Sequence, residues 1–242
     1  SISTKSNKVY FGSDFCGEVI AKGDAVITLS VGDFVIPNHQ YPEYGMTTNI
    51  ASLGVLFTDE SKLVKIPNGI PTHIAAGFSC PYQTAAALLR KSNSIKNPGF
   101  SLITAARSST TLAIVQLHQY YNIPYALIMR DSVEIENVIL NGIENIICAD
   151  PYSNDFTAIL EDKLSGTKVT HVFDNFPDLY CSLLMPHLSD SGYYLFCGFL
   201  DQGTKFQHPF SSIDSVNELY SRMILGNIHL IGSCLGSCSD LK

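Results

Sequence analysis

From Ser101 onward, short apolar runs alternate with stretches of helical spacing, and this alternation limits the fold more than any other feature of the chain. Leu102 and Ile103 supply a short buried strand. The small residues Ala105 to Ser108 supply a tight turn, and Leu112, Val115 and Leu117 carry the spacing of a helix. A strand–turn–helix of this kind opens a βαβ unit, where the pyrophosphate of a dinucleotide sits on the start of the helix. The glycines that normally permit that close approach are absent.

The same alternation continues to the end of the chain. Apolar runs at 125–129, 145–148, 169–173, 193–197 and 228–231 read as strands, and 125–129 suits a parallel strand buried on both faces. Helices are expected at 132–140, 154–164, 180–188 and 213–225. Ser132 is placed to cap the first, and Gly142, Gly166, Gly192 and Gly226 lie near or just past their ends. Strands and helices in this order build an α/β domain, an open doubly wound parallel sheet covered on both faces.

The residues before this region have a different texture. Short strands are expected at 17–23, 25–29, 34–36, 55–57 and 63–66, separated by turn signals such as Val31-Gly32-Asp33 and Pro67-Asn68-Gly69. Close spacing of this kind suggests an antiparallel β-rich unit. Helical patterning begins after Thr72, a candidate cap, and strengthens after Pro81 over 82–91, which is rich in good helix formers.

With 242 residues, 45% of them hydrophobic, the chain is long enough for a large core. A net charge of −7 without any Lys/Arg run argues against a nucleic-acid partner. No apolar run reaches membrane-spanning length, and the polar first residues carry no signal-peptide core, so no membrane partner is expected and a cytoplasmic location is. The seven cysteines are scattered and odd in number, which suits reduced thiols. Cys234 and Cys238 form the only close pair, without the further ligands a metal site needs.

The order of short motifs resembles the medium-chain dehydrogenase/reductase superfamily. Gly12-Ser13-Asp14-Phe15-Cys16-Gly17, Gly23, Val31-Gly32-Asp33, Leu63 to Gly69, Ala75-Ala76 and Thr84-Ala85 occur in that superfamily's sequence order. Gly12-x-Asp14-Phe15-x-Gly17 and the Tyr41-Pro42-Glu43-Tyr44 loop resemble its zinc-free quinone oxidoreductase branch. Ser13 and Asp14 stand where the zinc enzymes carry His-Glu. The resemblance implies a partial GroES-like substrate domain over 1–80 and a Rossmann-type dinucleotide-binding domain over 81–242. Family members carry further chain before the counterpart of Gly12 and after that of the strand at 228–231.

The implied activity is reduction by NADPH, without zinc, of an activated double bond, quinone or carbonyl of a small molecule. Aligned on that family, its fingerprint glycines fall near Ala105, Ser108 and Thr111. Ala and Ser are small enough to substitute in part. The β-branched Thr111 is expected to push the helix from the strand or the phosphate away. Ser108, Ser109 and Thr110 offer hydroxyls and N–H groups to an anion, or Ser109 serves only as a helix cap.

Arg130, after the second strand of the unit, suits the extra phosphate of NADP, although Asp131 follows it. Thr84, Asn175 and Gly198 are the candidates for the nicotinamide end. His39, Tyr41 and Tyr44 are phenols and an imidazole in the loop expected at the cleft, but no catalytic residue is assigned. His171, His187 and His229 are expected to pack. The resemblance also implies a homodimer paired through the last strand. The competing reading is a non-catalytic relative that kept the fold, lost cofactor binding and serves as a binding or scaffold subunit.

Overall fold

The computed structural model describes residues 12, 14–38, 51–131, 142–198 and 213–233. The expected helix at 132–140 and the loop residues His39, Tyr41 and Tyr44 lie outside them, as do Ser13, Cys234 and Cys238. The chain divides into two compact units at Gln83/Thr84.

The first unit is built on β1 (Gly17–Glu18), β2 (Phe34–Pro37) and β3 (Leu63–Lys65), antiparallel in that order. Ile36 and Ile66 pack with Ala75 in a small core. Ala75 belongs to α1 (Thr72–Ala76), whose cap position is taken by Pro71, so Thr72 is its first helical residue rather than its cap.

Two expected strands do not form here. At 25–29 the backbone is satisfied by side chains instead of a ladder. Glu60 accepts from the Thr28 N–H (2.8 Å) and the Ile27 N–H (3.3 Å), while Lys22 donates to the carbonyls of Val26 and Leu29. At 55–57 no ladder forms among the described residues, and Phe57 is 88% exposed.

α2 (Ser79–Lys91) begins three residues before the 82–91 expected from composition, because Pro81 falls in its first turn, where a missing N–H costs nothing. Beyond it lie β4 (Phe100–Ile103), α3 (Ser109–Tyr120), β5 (Tyr125–Met129), β6 (Ile146–Cys148) and α4 (Phe156–Leu164). β7 (Val169–Asp174), α5 (Pro177–Leu184), β8 (Leu188–Phe196), α6 (Ile213–Gly226) and β9 (His229–Gly232) complete the second unit.

Its six strands are all parallel, in the order β6-β5-β4-β7-β8-β9. This is the Rossmann-type arrangement, and every residue of β5 is buried. The core unites Leu102, Ile128, Val172 and Tyr194 from the strands with Phe156, Leu160 and Leu184 from α4 and α5. α5 ends at Leu184 and a single 3-10 turn follows, so Gly192 lies inside β8 rather than after a helix. Among the described residues no helix is long and apolar enough to cross a membrane.

From β4 the chain builds outward through β5 and β6, then returns to β7 on the other side. The order of the sheet therefore reverses between β4 and β7. The crevice outside the carboxyl ends of those two strands is where open α/β sheets hold ligands.

Candidate dinucleotide site

The turn leaving β4 has a backbone that alanine rarely adopts. Ala105 sits at φ +58°, in the left-handed region where a β-carbon crowds the following carbonyl. Its carbonyl accepts from the Ser108 N–H at 2.8 Å, which closes the turn. Ser108 is extended (φ −77°, ψ 135°) and occupies the cap position of α3, while Ser109 is the first helical residue. The capping role considered for Ser109 therefore falls at Ser108, and no side chain caps this helix. N–H groups at such an uncapped helix start are of the kind that suits an anion.

Thr111, expected to push the helix from the strand or the phosphate away, bonds back to the end of the strand. Buried at 1% exposure, it donates its hydroxyl to the carbonyl of Thr104 at 2.8 Å, tying α3 to the end of β4. Its oxygen also accepts from Asn175 Nδ2 at 2.8 Å. The same amide nitrogen donates to Ser108 Oγ at 2.9 Å, and the Cys197 thiol donates to Asn175 Oδ1 at 3.0 Å. Asn175, expected to meet a ligand, spends its amide on three protein partners, two at the start of α3 and one past β8. Gly198 has a structural reason to be glycine: a β-carbon there would lie 2.7 Å from the Asn175 carbonyl oxygen. It permits the close approach of the β8 and β7 ends.

Beneath the turn lies a cluster that the sequence reading missed. Asp174, 1% exposed, accepts from the Thr104 hydroxyl (2.6 Å) and the Phe176 N–H (2.9 Å) through Oδ1, and from the Tyr194 hydroxyl (2.6 Å) through Oδ2. Burial pushes its carboxyl up to about 6, against the three hydrogen bonds, which pull it down. The available signal was a lone carboxylate closing the apolar run of β7.

A cleft of about 350 Å3 opens at these strand ends. Three segments line it: 105–108, 128–131 and 176–180. Of the candidate residues it brings together Ala105, Ser108 and Arg130. Thr84, buried in α2, is not among its lining residues, nor are Ser109, Thr110, Asn175 and Gly198. Arg107, which sequence reading passed over as a turn residue, joins Arg130 there and lies 3.9 Å from Asp131. A larger groove of about 610 Å3 in the first unit, formed by 15–29, 35 and 51–63, holds no candidate residue.

The histidines divide by environment. His118, fully buried, donates from Nδ1 to the Ile114 carbonyl (2.8 Å) and accepts at Nε2 from Ser101 (3.0 Å). Desolvation lowers it to about 4. His171 and His229 stack on either side of Tyr193, with ring centroids at 5.4 and 4.5 Å, so both pack. The five described cysteines are free thiols, and no group of three or more His, Cys, Asp or Glu that could hold a metal occurs among the described residues.

No protein-family model matches this chain, and no curated protein matches it in sequence. Solved structures do. The cyclopropanase named CurF ER, from the curacin A biosynthetic pathway, superposes with a TM-score of 0.71 at 20% identity, covering 93% of this chain and 60% of that one. A putative NADPH:quinone reductase from Mesorhizobium loti gives 0.66 at 15% identity, over 91% and 59%. The yhdH oxidoreductase from Salmonella enterica, in complex with NADP, gives 0.67 at 16%, over 94% and 65%. The chain thus spans about three fifths of the length of these relatives. At these identities the likeness establishes the fold alone: a Rossmann-type parallel sheet accompanied by a partial, β-rich GroES-like unit.

Proposed function

We propose that this chain binds a nicotinamide dinucleotide and belongs to a zinc-free reductase acting on an activated double bond, quinone or carbonyl of a small molecule. The observation that carries the reading is the turn of residues 105–108. Ala105 adopts the conformation a fingerprint glycine would supply, and it leads into a helix whose first N–H groups no side chain caps. A pyrophosphate fits such a helix start, held by the N–H groups of Ser109 and Thr110.

NADPH is the cofactor we favour. Arg130 and Arg107 line the cleft together, and Arg107 lies across from Asp131, the one carboxylate among the described lining residues. Two guanidiniums suit an added phosphate better than a ribose diol. When bound, the cofactor supplies the hydride, and the protein supplies position and charge. Thr84 and Gly198 remain assigned to the nicotinamide end by resemblance, with Asn175 acting on the turn rather than on the ligand.

NADPH and NADH titrations, followed by nucleotide fluorescence and by thermal shift, test this reading. Saturable NADPH binding is expected. Arg130→Ala should weaken NADPH far more than NADH, and equal losses refute its assigned role. Absence of binding at millimolar cofactor sinks the reductase reading and favours the non-catalytic one.

We also propose a homodimer paired through β9, the last strand in the order and only partly covered. Light scattering at micromolar concentration should give twice the chain mass, and a monomer removes the idea.

A further inference from the structure

Asp174 reaches two of the three segments that line the cleft. Through Thr104 Oγ1 it holds the residue that opens the 105–108 turn, and through the Phe176 N–H it holds the start of the 176–180 segment. Both bonds converge on one oxygen, Oδ1, while Oδ2 is held by Tyr194 from β8. An ionised carboxylate accepts all three hydrogens at once, and its charge strengthens each bond. A protonated one must donate a hydrogen itself, so one hydroxyl has to turn and accept, and the Oδ1 bonds lose their charge assistance.

We propose that Asp174 is a positioning residue whose charge state sets how firmly the 105–108 turn and the start of the 176–180 segment are held to one another, and thereby how well the cleft takes its nucleotide. The part about the nucleotide rests on the cofactor reading above. The part about the two segments does not.

The surroundings leave Asp174 as the group of this cluster that titrates near neutral pH. From α5, Cys181 is pushed up to about 12 by burial, and Tyr180 is pushed well up by burial and by Asp174 itself. From β8, Tyr194 is raised by burial and by the same carboxylate. Asp178, in the first turn of α5, adds negative charge that pushes Asp174 up, and Arg130 acts on Tyr180 from the end of β5. Asp174 itself is centred at about 6. The firmly held form therefore belongs to neutral pH and the loosened form to mildly acidic pH.

Two measurements on the full chain test this. In the ligand-free protein, the backbone amide signals of Ala105 and Phe176 are followed by NMR across the range from acid to neutral. Both should move along one titration centred near 6 in the native protein and stay flat in Asp174→Asn, a neutral isostere. Should Asp174→Asn fail to fold, Thr104→Val serves. It removes one tie, so the Ala105 titration should shrink while that of Phe176 persists. Flat amides in the native protein overturn the proposal.

In the second arm, the affinity for NADP+ is measured across the same range in the native protein and Asp174→Asn, a comparison that cancels the ionisation of the nucleotide's own phosphates. From neutral to acidic pH the affinity of the native protein should fall about fivefold relative to that of the variant, as loss of one charge-assisted bond implies. Parallel pH profiles overturn the control of binding. Absence of NADP+ binding at every pH sinks the cofactor reading, and the amide titration then decides the proposal alone.

Discussion

Thr111 and Asn175 meet at 2.8 Å across the end of the sheet, a bond that joins the start of α3 to the residue just past β7. Glycine lets helix and strand close together by having no side chain. Here a side chain is present, but its hydroxyl points back to the Thr104 carbonyl and its oxygen takes the amide of Asn175. Thr111→Val keeps the shape and removes the hydroxyl, leaving a buried carbonyl short of a partner. We expect a loss of about 2 kcal/mol of stability, measured by urea unfolding, of the size that unmade buried hydrogen bonds produce. A neutral substitution would show that the network tolerates the gap, and with it that the turn is not held by Thr111.

Gly198 carries a second expectation about the same network. A β-carbon there meets the Asn175 carbonyl at 2.7 Å, and backbone on both sides has little room to yield. Gly198→Ala should cost about 1–3 kcal/mol, as overpacking does. The β8 end should also move away from Asn175, which loosens the Cys197 contact. A rise in Cys197 reactivity towards a thiol reagent, relative to the native protein, reads that movement directly. An unchanged rate and unchanged stability together would contradict it.

These two positions also show where the sequence was legible. Periodicity located β5 to the residue and α6 and β7 to within one: β5 and β7 bury continuous apolar runs of their own, and α6 sets Leu219 and Met223 at helical spacing against the core. The first unit was less readable. The runs at 25–29 and 55–57 have strand-like composition, yet whether a strand forms depends on a partner for its ladder, and at 25–29 Glu60 and Lys22 take the backbone groups instead. At the site, small residues marked the turn and Arg130 marked the cleft. The roles of Asn175 and Thr111 were hidden because their partners lie 64 residues apart. Asp174 was hidden because a carboxylate at a strand end reads as exposed until the neighbouring strand brings Tyr194 over it.

Ala105 stands in a conformation that favours glycine, so the chain stores strain at the turn. At φ +58° the β-carbon costs about 1 kcal/mol relative to glycine. Ala105→Gly should therefore raise stability by up to about 1 kcal/mol, less whatever the freer unfolded chain takes back. The midpoint of urea unfolding should rise with an unchanged slope. A destabilised variant would mean that contacts of the Ala105 methyl outweigh the strain.

His118 makes the acid side of the stability curve testable. Its folded value of about 4 lies below the 6.5 of an unperturbed imidazole, because burial disfavours the charged ring. Between those values the unfolded chain binds a proton that the folded one refuses, so stability falls as pH drops through this window. The expected loss from this group is roughly 3 kcal/mol once the pH is below both values. Asp174 works in the opposite sense: its raised carboxyl takes up a proton in the folded state first, and stability is gained as pH falls from about 6 towards the usual carboxylate range. The two partly offset, so the native curve alone does not separate them. His118→Phe keeps an aromatic ring against Phe173 and Tyr125 and removes the imidazole. It leaves the Ser101 hydroxyl without its ring partner at every pH, a constant offset. Relative to the variant, the native protein should lose stability steadily between about 6.5 and 4, with the gap flat above that window. Equal slopes in the two proteins would show that His118 accepts its proton in the folded core and that its burial is less complete than its two hydrogen bonds imply.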